Sequence, residues 1–183
     1  MVLLHMGLKR SFFLAEDAII YSVATGHNAS ASGPEVVTPW AIPSSANPAG
    51  GIISNIHDQL IYARFYLGDG TAASGERILS SDSIAALRQP RLPASWMGDS
   101  ITLGWYILEM DDGKALMHGG GTNGQRSMLF LIPEHNFGLV VLTNGLRGVE
   151  PMFGVGRWLL DSLLKLASPP GWESIRQVFA SME

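Results

Sequence analysis

A chain of 183 residues that is 46% hydrophobic and 15% charged has the length of one domain and the apolar content for a sizeable core. Its formal charge of -4 comes from acidic and basic residues that form no blocks, which excludes the electrostatic footprint of a nucleic-acid or anionic-membrane binder. With no cysteine, disulfides, thiol nucleophiles and thiolate zinc sites are excluded as well, while the cellular compartment stays open.

No apolar run approaches the ~18 residues of a membrane span, so a soluble protein is expected. In the opening stretch Lys9 and Arg10 follow the apolar residues, the reverse of the order in a signal peptide. A helical pattern over Ala15–Ile20 then dissolves into Ser, Ala and Gly near residues 28–33. Residues 34–51 carry Pro34, Pro39, Pro43 and Pro48 around Trp40 and read as an extended segment crossing a surface. Trp40 either lines a cleft there or packs on the exterior.

Asn55 is placed to cap a helix over residues 55–67, with Asp58 at the capping-box position and Ile56, Leu60, Ala63 and Leu67 at helical spacing, until Gly68-Asp69-Gly70 ends it. A shorter helix runs from Ser81 or Asp82 to Arg88, before Pro90. Over residues 101–144 the period becomes that of strands: 101–110, 114–118, 125–132 and 139–143, separated by turn-rich residues, predict an antiparallel meander. Residues 149–166 predict an amphipathic helix lying on that sheet, and 169–183 a tail or linker opened by Pro169-Pro170-Gly171. The fold class is therefore α+β, one domain over residues 1–168, with helices expected on one face of an antiparallel sheet.

Chemistry concentrates in His118-Gly119-Gly120-Gly121-Thr122-Asn123-Gly124. Its glycines admit a ligand close to the backbone, and His118, Thr122, Asn123 and Arg126 supply the polar side chains. Gly119, Gly121 and Gly124 satisfy the dinucleotide fingerprint G-x-G-x-x-G. That motif needs a following helix and an acidic residue about 20 positions on, and a strand-like run closed by Pro133 stands there instead. His118-Gly119-Gly120-Gly121 also matches the oxyanion tetrad of lipases, whose G-x-S-x-G nucleophile elbow is absent. His5, His27, His57 and His135 are scattered without i,i+4 pairing, so no metal site is indicated.

A third reading uses more of the chain. Pro48-Ala49-Gly50-Gly51-Ile52-Ile53-Ser54 before a helix with Asp58, Leu103-Gly104-Trp105, Met117-His118-Gly119-Gly120 with Gly124 and Ser127, Ile132-Pro133-Glu134, and Leu139 to Asn144 follow one another in order. Together they resemble the class C β-lactamase-like, or CubicO-type, serine hydrolases, a group that includes penicillin-binding proteins, D-amino-acid peptidases and esterases. The resemblance covers about Met6 to Leu166 and implies the C-terminal part of the β-lactamase/transpeptidase-like fold.

It also implies a division of labour. The family's S-x-x-K serine attacks an acyl substrate, a tyrosine motif shares proton transfer, and a K-T-G or H-x-G strand forms the opposite wall. His118-Gly119-Gly120 matches the third motif alone. By that match Gly121 N–H is an oxyanion donor, His118 places a hydrogen bond or partial positive charge near the acyl oxygen or a carboxylate, and Gly119, Gly120, Thr122 and Asn123 contact substrate. Ser162-Leu163-Leu164-Lys165 matches S-x-x-K after the glycine strand, in the wrong order, and none of Tyr21, Tyr62, Tyr66 and Tyr106 begins Y-x-N. The nucleophile is thus expected N-terminal to Met1, the isolated chain to be inactive, and the substrate to be an ester, amide, β-lactam or D-amino-acid peptide, with no cofactor. The alternative is a non-catalytic fragment that self-associates or binds a partner through an exposed sheet edge.

Overall fold

In the computed structural model, which describes residues 2–94 and 96–181, a six-stranded antiparallel meander carries the fold. Its strands are β3 (Leu92–Pro93), β4 (Ser100–Ile101), β5 (Tyr106–Met110), β6 (Gly113–Thr122), β7 (Gln125–Ile132) and β8 (Phe137–Thr143), adjacent in chain order. A separate hairpin, β1 (His27–Ser30) with β2 (Gly33–Val36), precedes them. The helices are α1 (Val2–His5), α2 (Ala15–Ala18), α3 (Asn47–Gly50), α4 (Ile56–Leu67), α5 (Ser81–Leu87), α6 (Val149–Leu159) and α7 (Trp172–Ala180). None is long and apolar enough to cross a membrane.

Both faces of the sheet are covered, where the sequence pattern suggested one. Side chains alternate across the pleat, so Ala115, Met117, Met128, Phe130 and Ile132 join Met152 and Phe153 of α6 and Trp172, Ile175 and Phe179 of α7. From the opposite side Leu116, Leu129 and Leu131 pack with Ala63, Tyr62, Tyr66 and Leu67 of α4. The continuous apolar run Met128–Ile132 is the sequence's record of burial on both faces. A smaller cluster of Leu3, Met6, Leu8, Phe65 and Ile84 ties the N-terminal residues to α4 and α5.

Residues 169–183, expected as a tail, contain α7, whose buried Trp172, Ile175 and Phe179 make it part of the main core. Arg176 pins this helix to α6 by pairing with Glu150, and it also pairs with Glu173 on its own helix. Helix α6 itself stops at Leu159, and the predicted helical run continues as a π-helical turn over Leu160–Leu164.

The start of α4 departs from the capping-box expectation in one detail. Asn55 caps as predicted, its Oδ1 accepting from the N–H groups of His57 at 2.9 Å and Asp58 at 3.1 Å. Asp58 turns away from the helix and accepts from Arg10 N–H at 2.7 Å and the Ser11 hydroxyl at 2.8 Å. It therefore anchors the preceding segment, which pairs Phe12 with Ile53. Only the N-terminal half of the predicted stripe stays open: Ile56 and Leu60 are exposed, whereas Ala63 is buried.

Candidate active site

The motif His118 to Gly124 forms the C-terminal half of β6 and the turn into β7. Thr122 pairs with Gln125 across the two-residue turn Asn123-Gly124, in which Gly124 takes φ +69°. In such a hairpin the two residues flanking the turn exchange hydrogen bonds, and backbone groups point to alternate sides along the strand. Thr122, Gly120 and His118 therefore direct their N–H and C=O groups to β7, and Gly121 and Gly119 direct theirs to the other edge. Strand β5 pairs with β6 only as far as Met117, opposite Tyr106. Beyond that point, among the described residues, no strand of the sheet pairs with the edge to which Gly119 and Gly121 turn.

His118 is exposed and lies on the α4 face of the sheet, on the same side as Leu116 and opposite Leu129 in register. Its ring centroid is 6.1 Å from that of Tyr106, which is in turn 6.2 Å from that of Trp96. Trp105 is buried and meets Tyr66 edge-on at 5.2 Å. Burial, with Tyr66 beside it, raises the Tyr62 hydroxyl above the ordinary phenol range, which disfavours a tyrosinate there.

The glycines answer to packing on the face away from His118. A Cβ on Gly119 would fall 2.9 Å from Cε1 of Phe179, and one on Gly121 would fall 3.0 Å from Cζ of Arg126. Arg126, which the sequence placed among the polar side chains of the site, is buried and lies flat beneath Gly121, its Nη1 donating to Gln125 O at 3.3 Å. A Cβ on Gly120 would meet only the Ser127 hydroxyl, at 3.3 Å. Asn123 is engaged as well: its amide donates to Pro39 O at 3.1 Å and Ala41 O at 3.2 Å.

The Ser162/Lys165 match does not assemble into a pair. Lys165 leaves the helix in the left-handed region at φ +59° and is exposed, and Ser162 belongs to the α6 extension on the opposite face of the sheet from His118. Among the described residues no group of three or more His, Asp or Glu is arranged to hold a metal ion. Sequence reasoning missed Phe179, the proximity of Tyr106 to His118 and that of Trp96 to Tyr106.

An α+β domain with helices on both faces of an antiparallel meander, and one glycine-lined strand end left open beside a histidine, is a recognisable arrangement. The beta-lactamase family model matches residues 2–162, and the chain belongs to that family, whose members are beta-lactamase-like serine hydrolases. Penicillin-binding protein 4 of Amycolatopsis lactamdurans is 33% identical over 172 residues, covering 90% of this chain and 45% of that protein. The octameric penicillin-binding protein homologue from Pyrococcus abyssi superposes with a TM-score of 0.73 at 24% identity, over 91% of this chain and 36% of that one. The class C beta lactamase from Rhodobacter sphaeroides does so with a TM-score of 0.59 at 17% identity, over 100% of this chain and 52% of that one. At these identities the two structures speak to fold alone. The chain spans less than half the length of the penicillin-binding protein it matches.

Proposed function

We propose that this chain supplies the H-x-G strand and oxyanion wall of a serine hydrolase acting on an acyl substrate, the serine nucleophile and tyrosine coming from sequence outside these 183 residues. The observation that carries this reading is the open edge at Gly119 and Gly121, beside the exposed His118. In this reading an extended acyl substrate lies along that edge, its reacting carbonyl oxygen facing Gly121 N–H. Attack by a serine hydroxyl forms a C–O bond and moves the carbonyl π pair onto that oxygen, where a fixed N–H lowers the cost of the developing charge. Collapse expels the leaving group with the hydroxyl's proton, and water then hydrolyses the acyl-enzyme. His118 faces the acyl oxygen or a substrate carboxylate as a hydrogen-bond donor.

Two results are expected of the purified chain. A fluorophosphonate probe leaves it unlabelled, because no described serine sits beside a general base at the open edge; stoichiometric labelling abolished by Ser162→Ala would place a working nucleophile inside the chain and overturn this division of labour. Hippurate, which carries an acyl amide and a carboxylate, shifts the NMR signals of the Gly121 amide and the His118 ring at millimolar concentration. Saturable shifts confined to residues distant from β6 would remove the wall itself.

A further inference from the structure

We infer that Asn123 is a positioning residue that holds Trp40 as an aromatic flank of this edge, selecting acyl groups that are planar and apolar. The inference rests on the wall reading above and goes beyond it by naming what the wall prefers.

The carboxamide of Asn123 has two hydrogens, and both are used: one on the carbonyl before Trp40 and one on the carbonyl after it, those of Pro39 and Ala41. One side chain thus clamps the backbone on either side of a single tryptophan. The clamp ends a longer clasp across the tip of the β6–β7 hairpin. Gln125 donates to Ala24 O at 2.8 Å, Asn144 to Thr25 O at 3.1 Å, and His27 N–H to Gly124 O at 3.1 Å, while Val37 N–H closes on Gly26 O at 2.9 Å. The segment therefore arrives over the β7–β8 side and reaches the β6–β7 turn last, at residues 39–41. Gly26 and Gly124 are required where the two backbones touch, since a Cβ on Gly26 would run into the Asn123 carbonyl.

Trp40 is half-buried, belongs to none of the three apolar clusters and stacks on no other described ring. An indole kept out of the core, on backbone fixed at the carbonyls before and after it, needs no loop ordering when a ligand arrives. Its anchor, Asn123, lies two residues beyond Gly121, whose N–H faces the edge. An aromatic face at that end of the wall favours a phenyl or similar group over a methyl.

The experiment uses the whole chain with 15N-labelled indoles, whose five tryptophan signals include Trp40, assigned by its loss in Trp40→Phe. Hippurate is compared with N-acetylglycine, which keeps the amide and carboxylate and lacks the phenyl ring. Hippurate is expected to shift the Trp40 signal and to bind about tenfold more tightly. Asn123→Ala is expected to abolish that preference while the Trp105 and Trp172 signals stay in place, showing an intact fold. Equal affinities, an unmoved Trp40 signal, or a preference that survives Asn123→Ala would overturn the flank while shifts at His118 and Gly121 leave the wall standing. If neither ligand moves His118 or Gly121, the wall reading fails and the flank with it.

Discussion

Replacement of Trp172 by alanine is expected to lower the free energy of unfolding by about 3–5 kcal/mol, as deletion of a large buried aromatic does. Trp172 is 2% exposed at the start of α7, meets Phe130 edge-on at 5.1 Å and Phe153 at 4.9 Å, and donates its indole N–H to Phe153 O at 3.3 Å. Gly156 of α6 leaves the space the indole ring fills, so removing the ring opens a cavity between α6 and α7. Domains of this kind are stable by about 5–15 kcal/mol, and the substitution removes a large share. Urea denaturation checks it: the midpoint should fall with the slope unchanged. A loss below about 1 kcal/mol would mean that α7 rests on the sheet without being part of its core.

That helix was expected as a tail, and the reason is physical. Pro169-Pro170-Gly171 reads as a stop after the predicted helix, and the residues beyond it read as a chain end. The spacing of Trp172, Ile175 and Phe179 did carry the signal, three and four residues apart on one face. Strand β7 was legible to the residue, and α4 nearly so, because each has a strong period and clear ends. The β1–β2 hairpin was not legible. Its residues are mostly polar and half-exposed, and what holds it is a set of bonds to Gly124, Asn144 and Gly145 from about a hundred residues away. The strand expected over 114–118 runs on to Thr122, because the glycines, read as a loop, pair with β7, and only Asn123-Gly124 remains as the turn.

The candidate site divides in the same way. The motif identified the strand, and the register of that strand shows which amides face the open edge. The glycines looked like clearance for a ligand, yet Phe179 and Arg126 occupy the space beneath two of them. No local rule could connect Gly119 with a residue 60 positions later in a segment read as a tail.

Gly119→Ala tests that connection. A methyl group there falls 2.9 Å from Cε1 of Phe179 and 3.1 Å from Ser127 O. Phe179 is 2% exposed and packed against Phe153 at 5.9 Å, so its ring cannot swing aside freely. Overpacking at such a site is expected to cost about 1–3 kcal/mol. Gly120→Ala, whose methyl meets only the Ser127 hydroxyl at 3.3 Å, should cost less. The decisive comparison is the double-mutant cycle with Phe179→Ala: Gly119→Ala should be nearly neutral once the ring is gone, leaving a coupling of about 0.5–3 kcal/mol. Additive costs, or equal costs at Gly119 and Gly120, would show that α7 does not shape this strand. A large coupling would mean that α7 dictates a bare backbone at Gly119 from behind. The open edge, where the acyl substrate is proposed to lie, has a separate cause, the end of β5 at Tyr106 opposite Met117, so packing of α7 would fix the bare face of Gly119 and the short β5 its free edge.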